Sequence, residues 1–447
     1  MFNINFEQIS QNPLTFAWFL FTHGGWIVFV VIVFWGSWLF WVNWVQAKFA
    51  RQQKYVLLAI DVPKENEQSP KAVENMFYHI AGAHKTYTLY EKYWQGALQA
   101  KFSLEIVSIG GYVQFLIYTP VIFRDLIEAS IYAQYPEAEI TEVEDYTKNY
   151  PTKFPNEEYN LWGTEFIYTN KWQYPIRTYP QFEHSLSQEY KDTMAAMLES
   201  LSKLQKGECA WFQLILTVTD YSWIKQSKAL AEKLIGKKQT KKGAFGSGEV
   251  GKMYDAVSSQ ILGGATATTQ KKEELRSQML YLSPIERLGV EAIENKASKT
   301  AFLTKVRYVY IAKKEIFSKT KGVSPIIGTI KQFNDANLNG LKPGKITKTD
   351  AHYFFVNWRL NTRRTKIMAA YKNRSNWSGQ GKGFIMNTEE LATLYHFPTI
   401  VVKAPLVKKV EAKRAGPPIG LPIEGSEEET LTEVTEEKAP PPENPPA

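Results

Sequence analysis

Cysteine is nearly absent from this chain: Cys209 is the one thiol in 447 residues. A lone thiol closes no internal disulfide, and it excludes both a CxxC redox pair and a cysteine-rich zinc site. Nothing in the fold therefore calls for an oxidising compartment. Histidine is also scarce. The six histidines, at 23, 79, 84, 184, 352 and 396, are scattered, and only His79 and His84 are close, at a spacing that does not stack them on one helix face. We expect no metal site and no cofactor. Charge is missing from one stretch altogether: between Glu7 and Lys48 there is no Asp, Glu, Lys or Arg.

What fills that gap is apolar and aromatic. WIVFVVIVFWGSWLFWVNW, ending at Trp44, is long enough to cross the hydrocarbon core of a bilayer as a helix. A cleavable signal peptide would start with basic residues and end at a small-residue site, whereas this chain starts MFNINFEQ and the run ends in tryptophans. We expect an uncleaved transmembrane helix over 25–47, preceded by an interfacial segment over 1–24. Trp26 at one end and Trp41 and Trp44 at the other suit the head-group belts, with tryptophans at 35 and 38 as lipid-facing bulk. Lys48, Arg51 and Lys54 follow as a basic flank, which by the positive-inside bias places the C-terminal side in the cytoplasm and the N-terminus outside. The expectation is a single-pass protein of the cell membrane, with the lipid bilayer as its first partner.

The rest is an α+β pattern. YVLLAIDVP reads as a strand, SPKAVENMFYHIAGA as a helix with a Ser cap and Pro at its first position, and FSLEIVS, Gly110-Gly111 and YVQFLIYTP as a hairpin. VIFRDLIEASIYAQYP then reads as a helix and AEITEVEDY as a strand. The order β-α-β-β-α-β is the ferredoxin-like arrangement, which we assign to 54–148. After 149–180, taken as a linker with one strand in TEFIYTN, a similar order recurs. SLSQEYKDTMAAMLESLSKL, SWIKQSKALAEKLIG and PIIGTIKQF read as helices, and AWFQLILTV and LTKVRYVYIAK as strands. We assign 181–422 to a second, decorated ferredoxin-like domain. Its insertion over 237–270, rich in Lys, Gly and Thr, cannot bury itself, and 423–447 reads as a disordered, acidic, proline-rich tail.

Four blocks carry a resemblance. SLEIVSIGGYVQFLIYTP and DLIEASIYAQYPEAEITEVEDY, with MNTEELATLYHFP and AKRAGPPIGLP further on, resemble the membrane-proximal region that precedes the motor domain in bacterial conjugation-type coupling ATPases of type IV secretion systems. The likeness runs from Tyr55 to Pro422 and is densest in those blocks, none of which is catalytic in that family. It implies a non-enzymatic adaptor or scaffold for DNA transfer, standing beside a P-loop ATPase encoded on another chain. Docking surfaces are then expected near Tyr112 to Tyr118 and on the helix Thr388 to His396. A homo-oligomer is a further expected partner.

The chain does not carry that motor itself. GSGEVGKM contains Gly246, Gly248 and Gly251 and ends a Gly-x-x-x-x-Gly-Lys at Lys252, yet it follows KKQTKKGAF instead of a hydrophobic strand. Met253 also stands where a Ser or Thr would hold magnesium, so a hinge in a basic loop is the better reading. Cys209, just before an apolar strand, reads as a small buried hydrophobe. Glu389 and Glu390 read as helix-start residues behind a Thr388 cap.

The net charge of +8 and a pI near 9.0 leave basic clusters to assign. Lys237, Lys238, Lys241 and Lys242 form one. Arg359, Arg363, Arg364, Lys366, Lys372 and Arg374 form another, with Trp358, Tyr371 and Trp377 nearby. Cations neutralise phosphates and aromatic faces stack unpaired bases, so this second cluster is a candidate contact for single-stranded DNA or for anionic lipid, against a solvated or protein-binding face. The alternatives to a motor platform are thus a membrane-tethered nucleic-acid-binding protein and a general scaffold for envelope assembly.

Overall fold

The structure is a computed structural model that describes residues 18, 21–63, 66–182, 192–235, 282–381 and 383–399. Most of the 1–24 segment, the insertion with its lysine cluster and glycine motif, the AKRAGPPIGLP block and the acidic tail lie outside the described residues.

The chain starts with α1 (Trp26–Gln52), whose apolar surface is exposed along its length except at Val45. It leads into β1 (Tyr55–Asp61), α2 (Pro70–Ala81), β2 (Lys101–Ile109), β3 (Tyr112–Pro120), α3 (Arg124–Tyr132) and β4 (Glu139–Glu142). Ser69 and Pro70 open α2, where a fixed φ and a missing N–H cost nothing. The β2–β3 turn is two glycines at φ +60° and +88°, a left-handed pair that suits the strand twist and that bulkier residues resist. A Cβ on Gly111 would also lie 2.6 Å from the Leu204 carbonyl oxygen.

The second run is β5 (Tyr159–Tyr168), α4 (Ala195–Ser202), β6 (Glu208–Val218), α5 (Ser222–Leu234), α6 (Pro284–Ala297), β7 (Ala301–Lys313), α7 (Ser324–Lys331), β8 (Leu341–Pro343), α8 (Val356–Lys372), β9 (Phe384–Asn387) and α9 (Thr388–Leu394). The strands form one antiparallel sheet in the order β4-β1-β3-β2-β6-β7-β5-β8, with β9 on the end of β7 that β5 leaves free. β2 and β6 pair from Lys101↔Thr217 to Ile109↔Cys209. The stretches 54–148 and 181–422, which the sequence reads as separate domains, therefore share one sheet. The segment 149–180 supplies an interior strand of it, β5, between β7 and the edge strand β8.

Alternation in each strand sends side chains to two cores. One face, with Phe77, Phe102, Phe212 and Tyr308, is covered by the helices, α2, α4 and α9 among them. The other, with Trp211, Val309 and Ile311, is covered by α8 through Ile367, Met368 and Tyr371. Each large side chain removed from water in this way stabilises the fold by roughly 1.5–3 kcal/mol.

Candidate functional site

The basic patch expected from sequence is broken up by the fold. Arg374 is 1% exposed, in the core between the two halves. Its Nε donates to Glu105 Oε1 at 2.9 Å and its Nη1 to Asp145 Oδ2 at 2.6 Å, and the guanidinium lies 4.0 Å over the Tyr118 ring. Burial works against the cation, but the Glu105 and Asp145 carboxylates more than offset it and raise the pKa of Arg374 above the ordinary guanidinium value. Lys372 donates to the Tyr150 carbonyl, and Arg363 to the carbonyls of Lys348 and Asp350. Arg364 is half-buried and desolvated. Arg359 donates to the His352 carbonyl at 3.0 Å, and only Lys366 and Trp377 of the set stand exposed without such a tie among the described residues. Arg374 is no surface cation because an αL turn at φ +46° directs it inward to a carboxylate already buried on β2.

That carboxylate belongs to a row the sequence reading missed. Glu105, Gln213, Arg307 and Glu165 are register partners on the adjacent strands β2, β6, β7 and β5, and all four are buried. Gln213 donates to Glu105 at 2.9 Å, and Arg307 Nε to Glu165 at 2.8 Å. The other nitrogens of Arg307 donate to the carbonyls of Ala370, Ser375 and Ser378, at and beyond the C-terminus of α8, where a cation also complements the helix dipole. A charged residue within an otherwise apolar strand, as Glu105 in FSLEIVS and Arg307 in VRYVYI, was the signal available in the sequence. Cys209 lies on the same face, buried, with burial raising its thiol to about 11, and Tyr150 Oη sits 2.9 Å from its sulfur.

The two docking surfaces expected from the resemblance are not surfaces. β3 is an interior strand between β1 and β2, with most of Tyr112 to Tyr118 buried. Thr388 to His396 is almost wholly buried. Its cap is Asn387, not Thr388: the Asn387 side chain accepts from the Glu390 N–H and the Glu390 carboxylate accepts from the Asn387 N–H, a capping box. Glu390 also pairs with buried Lys296 at 2.9 Å and accepts from Tyr168 at 3.0 Å. Glu389 and Glu74 share Lys299, and His396 meets Asp192 at 3.1 Å. On this face Glu74–Lys299 pairs charges across the two halves, while the other pairs tie elements of the second half together.

Exposed chemistry remains in two places. At the N-terminus of α8, Tyr353, Phe354, Phe355 and Trp358 are 89%, 82%, 80% and 70% exposed. Tyr353 and Phe355 hold φ of +68° and +52°, strained values for residues with side chains, and the loop is kept in place by Arg359 and Arg363 on its carbonyls. Of this tip the patch read from sequence includes Trp358 alone, as a neighbour of the arginines, and misses Tyr353, Phe354 and Phe355. Ridges of aromatic residues held outward by an ordered backbone are typical of sites that partners cover.

The other place is the helix α1 and its base. Among the described residues it is the one helix long and apolar enough to cross a membrane, and none of its most apolar 18-residue window is buried. Trp26 and Trp44 are exposed, as are Lys48, Arg51 and Lys54. Trp41, expected in the head-group belt, is part exposed and also makes protein contacts: its indole N–H donates to the Tyr93 carbonyl at 3.3 Å, and Trp38 and Trp41 pack on Tyr93 and Trp94. The chain turns back against α1 there at Gly96 (φ +72°), whose Cβ would stand 2.4 Å from the Val45 backbone. Below it lies a cavity of about 410 Å³ between the end of α1 and the start of β2.

No protein-family model matches this chain, and no curated protein matches its sequence.

Proposed function

We propose that the chain is a membrane-anchored, non-catalytic platform that presents a docking tip to a partner, and that the partner is a P-loop ATPase of the conjugation type implied by the sequence resemblance. In this reading α1 crosses the cell membrane once, with its N-terminus outside and the sheet in the cytoplasm, and each half of the sheet is a ferredoxin-like unit. The orders β4-β1-β3-β2 and β8-β5-β7-β6, each with a helix after its first and third strands (α2 and α3; α4 and α7), support the second point. Lys48, Arg51 and Lys54 at the end of α1 support the first.

The observation that carries the docking role is the tip of Tyr353, Phe354, Phe355 and Trp358. It costs the protein backbone strain and exposed apolar area, both of which a covering partner would turn into binding energy. The 17 residues of α8 place it about 25 Å from the residues that follow the helix at the base of the molecule. It thus lies well removed from the end of the anchor, where a soluble motor could reach it. A nucleic-acid platform built on the arginine cluster is the weaker reading, because Arg374, Arg363 and Lys372 are already engaged within the protein.

The test is a pull-down from solubilised membranes with the full chain and with a Phe354→Ser/Trp358→Ser variant, the co-purifying proteins being identified by mass spectrometry. Recovery of a P-loop ATPase with the native chain and its loss with the variant is the expected result. Nucleic acid in place of an ATPase, or an ATPase retained equally by the variant, sinks the proposal.

A further inference from the structure

The cavity at the base of the molecule has walls of two kinds. Phe49 and Ala50 from the end of α1, with Ile122 and Phe123 from the turn before α3, are apolar, while Lys85 and Lys101 bring two amines to the same space. Neither amine forms an ion pair among the described residues. Each instead lies over an aromatic ring, Lys85 over Phe123 at 5.7 Å and Lys101 over Tyr55 at 5.5 Å. Burial, with Arg374 and Arg307 nearby, pushes Lys101 down to about 8, as expected for a cation with no anion at hand. Asn376, which also lines the cavity, has a buried amide oxygen without a hydrogen-bond partner. The site therefore lacks a negative charge and a hydroxyl donor.

Its level in the molecule says where these would come from. Phe49 follows Trp44 by five residues, so at 1.5 Å per residue the cavity opens roughly 8 Å past the belt of α1, alongside Lys48 and Arg51. If α1 crosses the membrane, this is the depth of lipid head groups. We propose that the cavity is a binding site for one anionic phospholipid with a hydroxylated head group, its phosphate between Lys85 and Lys101 and the start of an acyl chain along Phe49, Ile122 and Phe123. The inference rests on the membrane reading of α1 and goes beyond it: an anchor needs only hydrocarbon, whereas this site selects a lipid and would lock the sheet to the bilayer at a fixed angle.

The test is native mass spectrometry of the detergent-purified full chain, incubated with phosphatidylglycerol or with phosphatidylcholine of the same acyl chains. One phosphatidylglycerol should be retained in preference to phosphatidylcholine. Lys85→Gln/Lys101→Gln should weaken it by about tenfold or more, since each cation near an anionic lipid contributes a factor of several. Ile122→Trp, which crowds the apolar rim of the cavity and leaves the charges, should also weaken it, and the exposed Lys85→Gln alone should weaken it with an unchanged melting temperature. Equal retention of the two lipids, or native retention by the double variant, overturns the proposal. Displacement by millimolar inorganic phosphate does too, since it would mark a site for the free anion. Release of the chain from membranes by alkaline carbonate would sink the anchor reading separately, because lipid selectivity in detergent does not depend on it.

Discussion

The two halves of the sheet follow the same strand order and differ in their completeness. In the first, β2 and β3 are joined by two glycines, and the half brings α2 and α3 as its helices. In the second, the equivalent pair β6 and β7 is separated by residues 219–300, and the half continues past its last paired edge strand β8 into α8, β9 and α9. Those surplus elements do not decorate their own half alone. Arg374, beyond α8, closes on Glu105 of β2 and Asp145 beyond β4, while Phe397, beyond α9, packs on Phe115 and Tyr135. The compact half is thus finished by the extended one, which is why two similar units behave as one sheet with a core on each face. Buried ion pairs at both seams suit that role: they stabilise little relative to apolar packing, but they penalise any arrangement that leaves them unpaired.

The sharpest way to break this dependence is Arg374→Met. It leaves Glu105 buried without its cation and should cost about 3–5 kcal/mol in denaturant unfolding of the solubilised full chain; a loss below about 1 kcal/mol would mean the seam is not stabilised there. Within the second half, on the opposite face, Glu390→Leu strands Lys296 and should cost a similar amount, while Glu390→Leu/Lys296→Met should recover most of it. Equal instability of the single and double variants would show that the pair specifies nothing. Gly111→Ala tests the tight hairpin: a side chain at φ +88° against the Leu204 carbonyl should cost more than about 1 kcal/mol. The same change at Gly328, in a helix with open space around it, should be neutral or slightly stabilising.

The smallest effect expected is on acid stability. Burial raises the pKa of Asp145 and Asp192, but Arg374 in the first case and His396 in the second more than offset it, so both carboxyls are held below the usual Asp value. A depressed carboxyl contributes stability that is present above the unfolded value of about 3.9 and is lost as pH falls through the folded one. The melting temperature should therefore drop below about pH 5, and Asp192→Asn should flatten that drop. A variant with the native acid profile would show that the Asp192–His396 contact carries none of it.

Much of the chain was legible in its residues. The apolar helix, the two-glycine hairpin, the Ser69-Pro70 helix start and the long strands β2, β3, β6 and β7 all follow from local rules: hydrophobic period, turn chemistry and capping. β8 and β9 were missed, because three or four residues hold too little pattern to mark a strand until a neighbour pairs with them. The candidate site fared worse. Arg374 and Lys372 cluster in sequence with exposed Lys366, and nothing local tells a cation that meets water from one that meets a carboxylate or carbonyl brought from more than two hundred residues away. Thr388 to His396 is expected as a docking helix from the resemblance alone, and nothing local in it foretells that Glu390 and Glu389 meet Lys296 and Lys299.

By itself, then, the sequence determined what short-range chemistry can determine: one apolar helix long enough to cross a bilayer with cations at its end, an α+β order, and a chain poor in thiols and histidines. Tertiary structure alone decided that β2 and β6 pair, which charges are buried, that the aromatic tip at Tyr353 to Trp358 is displayed, and that two lysines share a cavity beneath α1. The division has one physical cause. Periodicity and capping act over a few residues and are written in order along the chain, whereas burial of a charge or exposure of a ring depends on which distant segment arrives beside it.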